Sequence, residues 1–355
     1  MNALETQLHY PMGDFLPVGG IKSEVAPGIF WVRMPLPFAL NHINLWLVRE
    51  LDSWTVIDCG IASSEIKALW ESIFEHHLEG LPISRILCTH MHPDHIGLSA
   101  WIQGKYPKAM LWMTLGEYAL GRVLSAIMPG TNGSAAADHF ERHGWANEIT
   151  LAAIRTRNDK YFASLVPAMP LNFHRIRGDQ KIAMGGNEWQ VIIGTGHSPE
   201  HAALYCEKIG VLISGDMVLP RISTNVSVFE LEPESNPVEW FVNSLKEFTQ
   251  CGEDTLVLPS HGKPFTKLHV RIKQLTEHHD DRLKVVLEAC QKAPQSAFNI
   301  VPIMFEREFD THQMTFALGE ALAHLHALWF RGDVERIITQ ENGKDRIYFR
   351  TPKKK

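Results

Sequence analysis

The stretch that most constrains this chain runs from Arg85 to Gly97. There Arg-Ile-Leu-Cys-Thr-His-Met-His-Pro-Asp-His-Ile-Gly sets three histidines and an aspartate between positions 90 and 95. Ile86, Leu87 and Cys88 form the short apolar run expected of a strand buried on both faces. The polar cluster follows at once, which puts it at the carboxyl end of that strand, where open α/β sheets place their sites. Ile96 to Tyr106 reads as a helix, and Pro93 suits the tight loop that feeds it. Imidazole nitrogens and carboxylate oxygens are ligands for borderline cations such as zinc. On a tight turn, the spacing of His90 with His92 and of Asp94 with His95 suits two neighbouring ions. Histidine is plentiful, at 19 in the chain, and the pairs His76–His77 and His278–His279 read instead as solvated helix faces.

The pattern before this stretch is a run of strands, Gly28–Leu36, His42–Val48 and Ser53–Ile57, rich in β-branched and aromatic residues. The third ends in Asp58-Cys59-Gly60. A carboxylate there can ligate, can orient a ligand by hydrogen bonding, or can cap the helix expected from Ser64 to His77. After Ala109–Met113, another strand, the pattern from Leu115 to about Pro170 is helical, broken at Pro129–Ser134. It reads as an insertion large enough to cover a site at the sheet edge; Arg155, Arg157 and Tyr161 within it are given no role. Gln190–Ile193, Val211–Ser214 and Thr255–Leu258 are three more strands. They deliver His197 (with His201 following), Asp216 and His261 at their carboxyl ends. Any one of these alone is weak, but four strands repeating one arrangement is a strong signal. From about Arg271 the chain turns to long helices, with Leu318, Leu322, Leu325 and Trp329 on one stripe. A hairpin around Asn342-Gly343 follows them.

A chain of 355 residues allows one large core and a smaller second unit. Its apolar share of 45% and charged share of 21% are ordinary for a soluble protein. The net charge of −6 offers no general attraction to nucleic acid or to an anionic membrane. The slight positive excess near the C-terminus includes Lys353, Lys354 and Lys355. Met1–Met12 lacks the pattern of a signal peptide, and no run is long enough to span a membrane. Five cysteines, never as Cys-x-x-Cys, suggest small buried hydrophobes in a reducing cytoplasm rather than a disulfide framework.

Taken in order, Thr-His-Met-His-Pro-Asp-His, Gly-His-Ser-Pro-Glu-His, Ser-Gly-Asp and Ser-His-Gly resemble the motifs of the metallo-β-lactamase-fold hydrolase superfamily, over about residues 20–270. The resemblance implies an αββα four-layer sandwich at 20–270, with the helical insertion at about 115–170. A small winged-helix-like domain would occupy 271–355. It implies that His90, His92 and His197 hold one metal, that Asp94, His95 and His261 hold a second, and that Asp216 bridges them. Asp58 and His201 are implied as supports of the ligands. The set is closest to the hydroxyacylglutathione hydrolases (glyoxalase II), since no cysteine stands at a ligand position. Asn41-His42-Ile43-Asn44, the helices after His261 and the Leu325 region resemble the lactamase-beta-2-like branch.

Two divalent ions, zinc first and iron or manganese also compatible, can share a water and hold its hydroxide against an electrophile. Asp94 is the position expected to handle the proton. No Gly-x-Ser-x-Gly elbow competes with this reading. The expectation is a hydrolase of a small ester, thioester or lactone, with a small-molecule substrate, no membrane partner and room for a homodimer. Three alternatives stand beside it: a metal-dependent ribonuclease or phosphodiesterase, a non-enzymatic winged-helix regulator, and a mono-iron dioxygenase. The nearly neutral tail disfavours a nucleic-acid partner.

Overall fold

The computed structural model describes residues 4–38, 40–126, 133–156 and 161–352. The chain divides into two compact units, Met1–Ile127 with Lys160–Thr224 and Ser244–Lys273, and Met128–Asp159 with Asn225–Asn243 and Gln274–Lys355.

The first unit holds two sheets. One runs in chain order through β1 (Ser23–Ala26), β2 (Ile29–Pro35), β3 (His42–Arg49), β4 (Trp54–Ile57), β5 (Ile83–Leu87), β6 (Met110–Met113) and β7 (Phe173–Arg175). It is antiparallel up to β4 and parallel from β4 to β7. The other comprises β8 (Lys181–Met184), β9 (Asn187–Gly194), β10 (His201–Cys206), β11 (Val211–Gly215) and β12 (Leu256–Pro259), with only β11 and β12 parallel.

Alternation along the strands builds two cores. Ile29, Trp31, Trp46, Val48 and Leu87 face Trp189, Val191, Leu204, Ile213 and Leu258 between the sheets. Val32, Met34, Leu45, Val56 and Ile86 face outward against Ile66, Trp70 and Ile73 of α1 (Ser64–His76) and Ile102 of α3 (Ser99–Lys105). The result is the mixed α/β sandwich expected from the sequence.

The helix expected over Ile96–Tyr106 is divided between α2 (Pro93–Ile96) and α3. The Leu98 amide donates to the Gly60 carbonyl at 3.1 Å instead of continuing the α2 ladder. Ser63 caps α1 through the Ile66 amide, which frees Asp58 from that task. The insertion begins with α4 (Leu115–Ser125) and ends with α7 (Tyr161–Leu165), both in the first unit. Between them, α5 (Gly133–Arg142) and α6 (Glu148–Thr156) belong to the second unit. Arg155 is ion-paired there with Asp138 and Glu141, Arg157 lies outside the described residues, and so does most of the expected break at 129–134.

The second unit adds the long helices expected near the C-terminus. After α8 (Pro237–Glu247) come α9 (Leu268–Lys292), α10 (Ala297–Met304) and α11 (Thr311–Arg331), followed by the hairpin β13 (Glu335–Glu341) and β14 (Lys344–Arg350). Asn342 and Gly343 turn that hairpin with φ of 53° and 76°, the mirror-image turn that the Asn-Gly pair favours. Lys344 and Arg346 of β14 both reach the buried Glu141 of α5. Lys353, Lys354 and Lys355 are outside the described residues. Among those residues no helix is long and apolar enough to cross a membrane, and all five cysteines are free and buried.

His278–His279 is not a solvated pair, because His279 is fully buried beside His324 and Phe241. The long polar-looking α9 buries this ring because α11 is apolar nearly all round and offers it an imidazole partner 3.2 Å away.

Burial pushes His139 and His324 down to about 4, and it carries His143 and His279 well below the ordinary histidine range. An unfolded chain takes up these protons below about pH 6.5, whereas the native unit refuses them to lower pH, until about 4 at His139 and His324. The unfolded state therefore binds more protons in that window, and stability conferred by the neutral rings is lost as pH falls through it. Hydrogen exchange of residues 311–331 should accelerate steadily from pH 6.5 to 4 after correction for intrinsic rates. A flat profile would contradict the assignment.

Candidate metal centre

The carboxyl ends of β4, β5, β9, β11 and β12, with the start of β10, bring together the ligand and support candidates named from the sequence. His90 Nε2 lies 2.9 Å from His92 Nδ1 and 3.2 Å from His197 Nε2. Asp94 Oδ2 lies 3.4 Å from His261 Nε2 and 3.7 Å from His95 Nε2. Asp216 stands between the two sets. Its Oδ2 is 3.4 Å from His197 Nε2, while its Oδ1 is 3.7 Å from His95 Nε2 and 3.6 Å from His261 Nε2. Three groups can each close on one ion: His90, His92 and His197; His90, His95 and Asp216; and Asp94, His95 and His261.

Protons alone do not satisfy this arrangement. Three ring nitrogens aim at one point, and one proton can bridge only two of them. His95 Nε2 and Asp216 Oδ1 are buried with no hydrogen-bond partner, a situation that ordinarily costs about 1–3 kcal/mol per group. Burial alone would lower His95, but Asp58, Asp94 and Asp216 outweigh it and raise the ring to about 10. Burial works against the Asp94 charge, yet His95 and His261 hold that carboxyl down to about 2. Burial and the neighbouring His197 push His92 down to about 3. His92 is thus held neutral and Asp94 ionised, as ligands must be, while the carboxylates around His95 draw a proton onto its ring, a concentration of negative charge that calls for cations. The residues fit divalent metal ions.

The surroundings fix which nitrogen each ring offers. Asp58 Oδ2 accepts from His95 Nδ1 at 2.8 Å, and the Thr89 amide donates to Asp58 Oδ1 at 2.8 Å. The Thr89 hydroxyl donates to Asp58, so its oxygen is left to accept from His90 Nδ1 at 3.0 Å. His42 O accepts from His261 Nδ1 at 2.8 Å. In all three rings Nε2 is left pointing inward. His201 supports rather than joins the set: its Nε2 accepts from the Asp216 amide at 3.1 Å. Gly215, at φ 53°, makes room for that ring, because a Cβ there would sit 2.2 Å from His201 Nε2.

Two supports were not read as such from the sequence. Glu117 of α4 is fully buried, and its two oxygens accept from the Met91 amide at 2.9 Å and the Glu200 amide at 2.7 Å. It ties the loop carrying His90 to the loop carrying His197. Burial raises its pKa despite those bonds. Asn44, quoted only as part of a likeness, donates to the Pro259 and Gly262 carbonyls at 2.8 and 3.0 Å. The Gly262 amide donates to His42 Nε2 at 2.9 Å. The start of β3 is in this way fastened to the turn bearing His261. Buried glutamate in an amphipathic helix has a local signal, but its partners lie at sequence distances no pattern encodes.

Replacing Glu117 by alanine leaves two buried amides without acceptors. Metal affinity should fall about 10–100-fold, as for other groups that orient ligands, read by metal content after dialysis against a graded chelator. Retention equal to the parent protein would rule out this role.

The geometry agrees with what the chain is similar to. Residues 40–261, more than half of the chain, match the family described as "Metallo-beta-lactamase superfamily", and residues 283–350 match "Metallo-beta-lactamase-like, C-terminal domain". A solved beta-lactamase domain protein from Burkholderia ambifaria is 52% identical and superposes with a TM-score of 0.92, covering 99% of this chain and 100% of that one. The "Probable metallo-hydrolase YqjP" of Bacillus subtilis is 24% identical over 341 residues, 91% of this chain and 98% of that protein. The human "Acyl-coenzyme A thioesterase MBLAC2" is 25% identical over 277 residues, 75% of this chain and 84% of that protein. The chain belongs to the metallo-beta-lactamase superfamily and is a metallo-hydrolase with that family's C-terminal domain.

Proposed function

We propose that this hydrolase cleaves thioesters of small-molecule acyl groups at a centre of two divalent ions, with acyl-coenzyme A as the leading substrate class. The observation that carries the reading is Asp216, whose two oxygens face two different sets of nitrogen and oxygen donors with no thiolate among them. The similarity to proteins named acyl-coenzyme A thioesterases narrows ester, thioester or lactone to thioester. His90, His92 and His197 would hold one ion, Asp94, His95 and His261 the other, and Asp216 both. Zinc suits these imidazole-rich sets best, with iron or manganese next.

Bound ions of this kind supply Lewis acidity and a water made acidic enough to attack near neutral pH. The chain supplies the orientation. Asp58, Thr89 and the His42 carbonyl hold the rings so that each presents Nε2. Asp94, ionised throughout the physiological range and partly exposed, accepts the proton of the attacking water and orients its lone pair. The C-terminal hairpin serves packing, since Lys344 and Arg346 are engaged by Glu141. Five buried, free cysteines suit a reducing cytoplasm.

Free-thiol release from a panel of acyl-coenzyme A substrates should be abolished by a chelator and restored by zinc. Cleavage of single-stranded RNA with no thiol release would overturn the thioester reading. His92→Ala should lose bound metal and turnover together, and retained hydrolysis would contradict its place. Asp94→Asn should keep the ion held by the three histidines while turnover falls at least about 100-fold. Near-normal turnover would remove Asp94 from proton handling.

A further inference from the structure

Arg33 lies on the inner face of β2, at the end of the sheet that carries the metal centre. Ile29 and Trp31, two and four residues back, face the space between the sheets, and Arg33 continues that alternation. Across β3 it stands opposite Asn44, with His42 opposite Pro35. Residues paired in this way have Cβ atoms about 4.5–5.5 Å apart. Asn44 and His42 are both bonded to the turn bearing His261. The His42 ring stands edge-on to that of His261, with centroids 6.0 Å apart. The guanidinium is therefore a near neighbour of the centre.

Its partners set it apart. Arg49, Arg155, Arg331, Arg336 and Arg350 are paired with carboxylates, and the buried Arg271 donates to the Leu219 and Ile222 carbonyls. Among the described residues no acceptor is found for Arg33, and its Nε is buried and unbonded. Burial also lowers its pKa. A half-buried guanidinium without an acceptor is destabilising unless something else supplies the anion, and its planar fork matches a carboxylate or phosphate.

We infer that Arg33 anchors an oxyanion group of the substrate beside the metal centre. This deepens the thioester reading and rests on it for the identity of the substrate. The anion has two sources, a carboxylate on the acyl group or the phosphates of the leaving group.

Four substrates separate them: butyryl and glutaryl thioesters, each of coenzyme A and of the neutral thiol N-acetylcysteamine. With an acyl carboxylate in the pocket, Arg33→Met lowers the glutaryl-to-butyryl ratio of kcat/KM about 10–100-fold on both thiols, mainly through KM. With leaving-group phosphate there, the ratio of coenzyme A to N-acetylcysteamine substrates falls by as much for both acyl groups. Arg33→Lys should recover part of either preference. An equal effect on all four substrates, or none, overturns the inference. Calorimetric titration with glutarate and with inorganic phosphate keeps the test independent of thioester turnover. The zinc-loaded parent should bind at least one of them, and Arg33→Met should bind it at least about tenfold more weakly with unchanged metal content. If neither anion distinguishes the two proteins, the anchor is wrong even where thioester hydrolysis is right; if binding differs but no thioester is cleaved, only the substrate class fails.

Discussion

Lone pairs and negative charges forced to face one another are the constraint on which the first unit depends. His90, His92 and His197 present three nitrogens to one point, and Asp94 and Asp216 stand against His95 and His261 beside it. Assembling such a cluster in the interior costs free energy unless cations neutralise it. The sheets therefore have to hold it by hydrogen bonds at its back: Asp58 and Thr89 behind His95 and His90, Glu117 across two loops, and the start of β3 behind His261. Behind His90, His95 and His261 a buried acceptor keeps the proton on Nδ1, the ring nitrogen that does not face inward.

The strand order makes this possible. Parallel pairing of β4 with β5 places the ends Asp58 and Thr89 side by side, and parallel pairing of β11 with β12 does the same for Asp216 and the turn before His261. Antiparallel β9 and β10 instead set His201 opposite Gly194, so its ring enters from the neighbouring strand and meets the Asp216 amide. The site is then a property of sheet edges, stiffened by two cores of large side chains on either side of the first sheet.

The parts legible in the sequence were those whose signal is local. An apolar run followed within a few residues by histidine or aspartate identifies both the strand and the side chains beyond its end, which is why the seven that converge here are legible. Asp58 was ambiguous between capping and orienting until Ser63 was found to cap α1. Glu117, Asn44 and Arg33 were illegible because their importance lies in partners, or in their lack, far along the chain. His279 misled for a related reason: a histidine in a polar helix looks solvated until the helix packed against it is known. Strand β10, fully buried, is hidden behind the histidine that begins it.

Anomalous diffraction recorded on either side of the zinc absorption edge, on crystals grown with zinc, tests the convergence most directly. Two peaks are expected, one among His90, His92 and His197 and the other among Asp94, His95 and His261, with Asp216 within ligating distance of both. A single peak that leaves Asp94 and His261 without a metal, or peaks lying away from these side chains, would contradict it.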